Sequence, residues 1–515
     1  MAKQIIYKRQ QEYGDTDCHY TWEFDIAEPE VPPDFIYIFK EASEDAEEFE
    51  IVGDTLVRYN GKNPNVTIPD GVKSIGDRAF MRSYYVKNIL IPEGVESIES
   101  HAFFRCVALE TVYMPHSLKK IGDSAFEGCN NLKTVGMKNG VEIIDAHAFD
   151  SCFGLESLYI PNTVKSIGDN AFIGCKKITE LFIPDSVVTI GKEAFERCTA
   201  LEKVRISNNI KVLSSYIFDG CISLTYVDIP SGVQSIGAHA FDGCTSIREV
   251  VIPNTVKAID TSAFQICKQL RYADLPRGLE RLGDDAFSGC KSLRSIVIPS
   301  GVKNIPANLV NGCDLLKNVV IEEGVETIGV AAFDKCINLK ELEIPKTVKS
   351  IGENCFRGCV SLEKLILNGR IDNIGTGAFT KCLSLKEIII PDDTSEQSRN
   401  RFLDRIEEDF ISNKVDVREG VTVRYEMNLR GINLSIKHGC DDYRKQIYLD
   451  FLRRFRFEIM KILIDKNDMD TFRAFEEYLI TDDILEKVRN YSVAKNNVLF
   501  TAFLLNRNTK SDDFL

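Results

Sequence analysis

Thirteen of the sixteen cysteines follow one another at a spacing of 23 residues, with no insertion or deletion. They are Cys106, Cys129, Cys152, Cys175, Cys198, Cys221, Cys244, Cys267, Cys290, Cys313, Cys336, Cys359 and Cys382. Thiolates bind zinc and thiols form disulfides, so a regular row first suggests metal binding or cross-linking. If the units stack as parallel strands, neighbouring thiols lie about 4.8 Å apart with parallel Cβ vectors, which is poor disulfide geometry. Cysteine also suits small buried positions. We therefore interpret the row as core and expect neither metal nor cofactor.

The remaining residues with catalytic or metal-binding chemistry form no recognisable set. His101, His147 and His239 share one repeat position but are separated by two and four units, so we interpret them as surface histidines. The sequence contains no P-loop, GxSxG elbow, HExxH motif or zinc CxxC pair. Cys355 lies close to Cys359 only because cysteine replaces the usual alanine of the repeat. We expect no catalytic residues and no enzymatic activity.

The elements that position these residues are 23-residue units such as LESLYIPNTVKSIGDNAFIGCKK, residues 155–177. Leu158 and Ile160 alternate with Ser157 and Tyr159, which predicts a short strand with one buried and one outward face. Pro161 ends the strand, since proline cannot donate to a β-ladder. A chain of such units is a repeat solenoid whose units bury their apolar faces against their neighbours.

The second half of each unit predicts a tight turn. In the same unit, Asp169 or Asn170 is expected to cap a short helical turn. Phe172 and Cys175, three residues apart, would then both face the core. Gly174 suits a left-handed exit from that turn.

These units closely resemble the BspA-like leucine-rich repeat family, whose pattern is roughly LxxLxIPxxVxxIGxxAFxxCxxL. The match covers about residues 51–391, and the residues from FEIVGDTLVRY onward resemble the family's opening unit. The resemblance implies a curved parallel-β solenoid with its strands on the concave side. Proteins of this family are often surface or adhesion proteins. Two units, around residues 207–218 and 305–313, depart from the pattern, through either tolerated drift or a change of curvature that positions a partner.

The third and fifth residues of each strand should point away from the core, and we predict that a protein partner binds there. The candidate partner-binding residues are Tyr113, Tyr159, Phe182, Arg205, Tyr226, Asp228, Tyr272 and Asp274. An aliphatic zone follows at Val297, Val320, Ile366 and Ile389. Exposed aromatic residues with arginine are typical of protein interfaces. The alternative is that aromatic and β-branched residues simply suit strand surfaces.

Charge and hydropathy limit the class of partner. The net charge is −14, and residues 1–65, with 15 acidic and 6 basic groups, account for −9 of it. No basic stripe is apparent, so nucleic acid is not expected as the main ligand. The N-terminus lacks the apolar core of a signal peptide, and no run of about 18 apolar residues occurs. We expect a cytoplasmic protein with reduced thiols, although surface exposure by an unusual route stays open.

The two ends differ from the repeats. We divide the chain into an acidic N-terminal segment or cap (1–50), a solenoid of about fourteen units (51–393) and a mainly helical C-terminal region (394–515). The segment TWEFDI predicts a strand. Helices are predicted over residues 395–410, 441–464, 469–479 and 481–508, with a strand or hairpin over 418–429. The last three helices weakly resemble ankyrin-type pairs, and the region is either a cap or a second binding module.

The leading hypothesis is a non-enzymatic protein-binding scaffold. The alternatives are a surface or host-adhesion protein, and a targeting or regulatory subunit of an enzyme on another chain. Fold alone does not decide among them.

Overall fold

The structure, a computed structural model, describes residues 4–9, 20–25, 28–32, 48–382, 384–385, 387–389 and 456–506, the last range without residues 458, 462, 466 and 481. The repeats form a parallel β-solenoid of about fourteen turns, as predicted. The chain divides into two compact units, Met1–Val325 and Glu326–Leu515. The predicted domain boundary near residue 393 falls outside the described residues.

Two antiparallel hairpins begin the first unit. Strands β1 (Gln4–Arg9) and β2 (Tyr20–Asp25) form one, and β2 contains most of the predicted TWEFDI strand. Strands β3 (Phe49–Val52) and β4 (Thr55–Tyr59) form the other hairpin. Gly53 lies in its turn with a φ of 65°, a left-handed conformation that glycine adopts easily because it has no Cβ. β4 then pairs in parallel with the first repeat, so the second hairpin opens the solenoid.

One side of each solenoid turn is a short parallel strand with the sequence pattern LxxLxI. In the first unit these strands are β5 (Asn65–Thr67), β7 (Asn88–Leu90), β9 (Thr111–Tyr113), β11 (Thr134–Gly136), β14 (Glu180–Phe182), β16 (Lys203–Arg205), β18 (Tyr226–Asp228), β20 (Glu249–Val251), β22 (Tyr272–Asp274), β24 (Ser295–Ile298) and β26 (Asn318–Ile321). Between β11 and β14, Tyr159 makes a single bridge to Phe182. We call the outward surface of these strands the strand face.

A second side consists of two-residue strands. They are β6 (Ser74–Ile75), β8 (Ser97–Ile98), β10 (Lys120–Ile121), β12 (Ile143–Ile144), β13 (Ser166–Ile167), β15 (Thr189–Ile190), β17 (Val212–Leu213), β19 (Ser235–Ile236), β21 (Ala258–Ile259), β23 (Arg281–Leu282) and β25 (Asn304–Ile305). Within the described part of this unit, the ladder is interrupted between β15 and β17 and between β23 and β25. These interruptions coincide with the two 23-residue repeats, around residues 207–218 and 305–313, that depart from the sequence pattern.

The core of the first unit contains stacked phenylalanine rings and buried thiols. Phe126, Phe149 and Phe172 stack with ring centroids 5.1 and 5.2 Å apart. The Cys152 thiol donates to the carbonyl oxygen of Phe126 at 3.3 Å, and this contact recurs along the row. Burial raises the pKa of the Cys198 thiol to about 12. The fourteen cysteines among the described residues are free and buried, which confirms the core interpretation.

The third side is a turn whose conformation differs from the prediction. Asn170 has a φ of 57°, in the left-handed region, so it does not act as a helix cap. Instead, the backbone N–H groups of Asn170, Phe172 and Gly174 donate to carbonyl oxygens of the next 23-residue repeat at 2.7–2.8 Å. Gly174 has a φ of 73°, as predicted. The turns thus form a third hydrogen-bonded row in addition to the two rows of strands.

The second unit contains further repeats. Its strands are β27 (Thr327–Ile328), β28 (Glu341–Ile344), β29 (Ser350–Ile351), β30 (Lys364–Leu367), β31 (Asn373–Ile374) and β32 (Glu387–Ile389). β28, β30 and β32 form one parallel sheet, and β27, β29 and β31 belong to the other side of the turn. A buried aspartate, Asp334, accepts hydrogen bonds from both Nε and a terminal nitrogen of Arg357.

The described residues near the C-terminus include three helices. They are α1 (Met469–Leu479), α2 (Asp482–Ala494) and α3 (Val498–Asn506), with a shared core that includes Phe472, Val488 and Phe500. α1 has the predicted bounds, but the last predicted helix is divided. Asn496 has a φ of 52°, and the Asn497 side chain accepts from the Phe500 N–H, so a new helix begins there. The elements predicted over 395–410 and 418–429 lie outside the described residues. Among the described helices, none has the length and apolar character needed to cross a bilayer.

Candidate functional site

The strand face places the predicted outward residues side by side. Phe182, Arg205 and Asp228 are direct neighbours in the parallel register, and Val251 and Asp274 continue the same row. The 23-residue period therefore gives the correct register. Whether these residues bind a partner remains a prediction.

Arg205 was predicted to project into solvent, but its side chain is buried. Its side chain lies over the Phe182 ring, with the guanidinium carbon 5.0 Å from the ring centroid. It donates to the carbonyl oxygen of Ile183 at 2.7 Å and forms an ion pair with Asp185 at 2.6 Å. Only 8% of Arg205 is exposed. Although burial of Asp185 opposes it, the Asn208 N–H and the Arg205 charge hold the pKa of Asp185 below its usual value. Arg205 thus braces the surface around Phe182.

Tyr113 is also buried, with 6% of its surface exposed, which corrects the prediction that it projects outward. The physical reason lies in the next unit, where Gly136 occupies the paired position. A Cβ at Gly136 would come within 2.3 Å of the Tyr113 ring, so the ring occupies the space that a side chain would fill. Burial accordingly raises the pKa of Tyr113.

Part of the N-terminal segment lies beside Tyr159 on the strand face. Glu28 accepts a hydrogen bond from the backbone N–H of Asn139 at 2.9 Å and lies 3.3 Å from Nε2 of His116. The Tyr159 hydroxyl is 3.5 Å from the Asn139 side chain. Burial and the Glu28 charge raise the pKa of Tyr159, against the opposing effect of Asn139. The acidic N-terminal segment therefore contacts the strand face near Tyr159.

The accessible aromatic residues lie further along the face. Tyr226, Glu249 and Tyr272 are consecutive in register, so the two tyrosines are about 10 Å apart with a carboxylate between them. Tyr272 is 44% exposed, and Tyr226 is half-buried. Asp228 and Asp274 lie two residues further along the same strands, half-buried and exposed respectively. This part of the face combines aromatic surface with three carboxylates.

The residues of the predicted aliphatic zone lie on strands of both units. Val297 and Val320 pair directly and are 44% and 52% exposed. In the second unit, Ile366 and Ile389 likewise pair, the first half-buried and the second exposed. These side chains are suited to apolar contact rather than to chemistry.

A row of basic residues was missed by the sequence analysis. Arg248, Arg271, Arg294 and Lys317 each lie one residue before a strand of the strand face, and all four are exposed. The N–H groups of the last three donate in turn to the carbonyl oxygen of the preceding member at 2.9–3.1 Å, so the residues occupy successive rungs. The expectation that no basic stripe exists is wrong here. The row becomes visible in the sequence only when the 23-residue units are aligned.

A possible cation site lies on the turn side of the first unit. Single oxygen or nitrogen atoms of Glu127, His147 and Asp150 all lie within 4.8 Å of one another, and His147 Nδ1 is 3.0 Å from Asp150. All three residues are only half-buried, and acidic groups beside a histidine are common on protein surfaces. This geometry alone assigns no metal, and the absence of a cofactor stays a prediction.

Comparisons with known proteins identify the repeats. The family model described as BspA type leucine rich repeat region (6 copies) matches residues 51–179, 165–294 and 280–408. A leucine-rich repeat protein from Bacteroides ovatus is 28% identical, with 59% of this chain and 86% of that chain covered and a TM-score of 0.49. A leucine rich cell surface protein from Faecalibacterium prausnitzii is 26% identical, with coverages of 68% and 94% and a TM-score of 0.42. No curated protein of known function matches the chain.

Proposed function

The chain belongs to the BspA-type leucine-rich repeat family, and from this premise we propose that it is a non-enzymatic scaffold that binds a protein partner on its strand face. The proposed contact surface centres on Tyr226, Asp228, Tyr272 and Asp274. Solenoids hold their surfaces rigidly through contacts between neighbouring repeats, which suits recognition of a large partner. Repeats of this family are generally not enzymes.

The observation that carries the proposal is the exposed position of Tyr272 beside Tyr226 on a rigid sheet. Tyrosine presents a large area to a partner at a small loss of side-chain entropy, and it is enriched where interface energy concentrates. Strands β18 and β20 pair along their length on both sides, and β22 pairs fully with β20 and through Tyr272 with β24. A partner must therefore contact side chains, because no strand edge is open in the middle of this sheet.

The other predicted residues take different roles in the proposal. Phe182 and Tyr159 extend the surface, since both are half-buried and retain partial exposure. Arg205 and Tyr113 support it from within the packed layer. Arg205 fixes the Phe182 ring, and Tyr113 covers the backbone at Gly136.

The test is a tagged pull-down from native extract, followed by affinity measurement with the partner that it identifies. The variant carries Tyr226→Ala and Tyr272→Ala. A matched control carries Tyr84→Ala and Tyr85→Ala, which removes two tyrosines that are 58% and 57% exposed in the opening repeat. Since each hot-spot residue is worth about 2 kcal/mol or more, we expect binding to fall by at least about 30-fold in the first variant only.

Equal binding by the wild type and both variants would refute this placement and direct attention to the helices α1–α3. Co-purification with an enzyme at fixed stoichiometry would identify the chain as a regulatory subunit. Recovery of the protein from the cell surface, by fractionation of native cells, would instead support adhesion and contradict the predicted cytoplasmic location.

A further inference from the structure

Four like charges stand on successive rungs beside the strand face. We call Arg248, Arg271, Arg294 and Lys317 the basic row. The residues that follow them, from Glu249 to Asn318, pair rung by rung, so the row rises by about 4.8 Å per residue and spans about 14 Å. Among the residues that the structure describes, no side chain accepts a hydrogen bond from the basic row or forms an ion pair with it.

Elsewhere the solenoid neutralises charge from rung to rung. At the same repeat position as the basic row, Lys133 pairs with Glu110 of the preceding unit at 2.8 Å. On the strand face Lys203 pairs with Glu180 at 2.8 Å, and on the two-residue strands Arg281 pairs with Asp260 at the same distance. Like charges on directly opposite strand positions are destabilising. The residues of the basic row lack the ion pairs that this chain forms at other rungs. This arrangement does not stabilise the solenoid, which indicates that the row binds another molecule.

We propose that the basic row binds an acidic, extended segment of the protein partner. This inference rests on the proposed function, because it names the chemistry of a partner already placed on the adjoining strand face. An extended peptide advances about 3.3 Å per residue, so carboxylates on alternate residues recur about every 6.7 Å. Long arginine and lysine side chains can spread to that spacing, and guanidinium groups bind carboxylates in a bidentate manner.

A protein segment fits this surface better than a nucleic acid does. The chain carries a net charge of −14, which repels a long polyanion at a distance. Glu249 and Asp274 lie on the strands that follow the row, and they disfavour a continuous polyanion more than a segment whose acidic residues alternate with uncharged ones. Tyr272 and Val297, both 44% exposed, offer apolar contacts beside the charges. Only a partner that combines a few carboxylates with apolar side chains satisfies both features.

The experiment measures binding of a labelled peptide of about eight residues in which glutamate alternates with small residues and one aromatic residue, a length that spans the row. Fluorescence anisotropy at low ionic strength compares the full-length wild type with an Arg271→Glu/Arg294→Glu variant. The matched control is Lys257→Glu/Arg281→Glu, which makes the same charge change at exposed residues that are ion-paired with Glu280 and Asp260. The same peptide with glutamine in place of glutamate and a single-stranded oligonucleotide are also tested.

The acidic peptide should bind the wild type and the control, and should bind the row variant more than about tenfold more weakly. Two exposed ion pairs alone account for about 2- to 30-fold, and the reversed charges add repulsion. Binding should weaken as salt is added, because exposed charges are screened. The row variant should melt no lower than the wild type, since the substitutions place opposite charges side by side at positions 248 and 271 and at positions 294 and 317, where the wild type has like charges.

Three results would overturn the proposal. They are no binding of the acidic peptide, equal loss in the row variant and the control, and tighter binding of the oligonucleotide through the same row. None of them depends on a native partner. If the basic-row proposal fails in this way but the variant with Tyr226→Ala and Tyr272→Ala still loses the native partner in the pull-down, the proposed function stands and only the role of the basic row is rejected.

Discussion

Replacement of Arg357 by methionine should destabilise the second unit (Glu326–Leu515), because it leaves a buried carboxylate without its cationic partner. The Asp334 side chain has no exposed surface, whereas that of Arg357 is 40% exposed. Arg357 donates two hydrogen bonds to the carboxylate, one from Nε to Oδ1 at 3.1 Å and one from a terminal nitrogen to Oδ2. Within the described part of the chain, Asp334 has no other side-chain donor.

The magnitude follows from this asymmetry. Arg357→Met leaves a desolvated carboxylate without a partner, which costs about 3–5 kcal/mol. Asp334→Ala leaves a guanidinium that water can reach, so we expect a smaller cost of about 1–2 kcal/mol. The exposed pair Arg370–Asp372 offers a control in the same unit, with side chains 58% and 43% exposed. Arg370→Met should cost less than about 1 kcal/mol.

The assay is native-state hydrogen exchange of the full-length chain, followed by mass spectrometry of peptides that contain Asp334. A loss of about 3 kcal/mol in local opening free energy corresponds to exchange about 150-fold faster. The double variant Asp334→Ala/Arg357→Met should recover part of that loss, because no buried charge remains. If Arg357→Met and Arg370→Met exchange at the same rate, the buried carboxylate does not need its partner and the reasoning is refuted.

Three further expectations concern the first unit and the cysteines. Burial and the neighbouring carboxylate of Asp242 raise the pKa of Asp219 from 3.8 to about 6. The folded state therefore loses stability as pH rises from the lower value to the higher one, and Asp219→Asn should raise the Tm at about pH 7.5 but not at about pH 4. An equal effect at both pH values would contradict this. Phe149→Ala should cost about 3–5 kcal/mol in urea unfolding, against less than about 1 for Phe153→Ala, which is 38% exposed. In the native chain, a thiol reagent such as DTNB should label none of the fourteen buried cysteines and at most Cys18 and Cys440, and early labelling of more thiols would show that the core opens.

The repeat period predicts much of the fold because a constant spacing determines which residues are neighbours. Parallel strands in identical units pair residue i with residue i+23, so the register of Phe182 with Arg205 follows from the sequence. The buried row of cysteines follows in the same way, from position and size. The period does not predict which side chains on the outward face are buried. Their burial depends on particular neighbours, such as Asp185 beside Arg205 and Gly136 beside Tyr113.

The turn shows a second limit of sequence patterns. Asparagine is favoured both at helix caps and in the left-handed region, so Asn170 is compatible with either structure. Hydrogen bonds to the following unit decide between them, and these bonds exist only once the units stack. The accessible part of the candidate site, around Tyr226 and Tyr272, was predicted by alternation alone. The basic row required the units to be superposed.

The turn row also gives the array an electrical direction. At Asn170, Phe172 and Gly174, and at the corresponding positions of neighbouring repeats, the N–H groups all donate toward the next repeat and the acceptor carbonyls all point back. Aligned peptide dipoles add, as they do along a helix. The end of such an array at its first repeat presents carbonyl oxygens, and the end at its last repeat presents N–H groups. An element that covers the first-repeat end of the turn row must therefore supply donors, and one that covers the last-repeat end must supply acceptors, so the same element could not serve both ends.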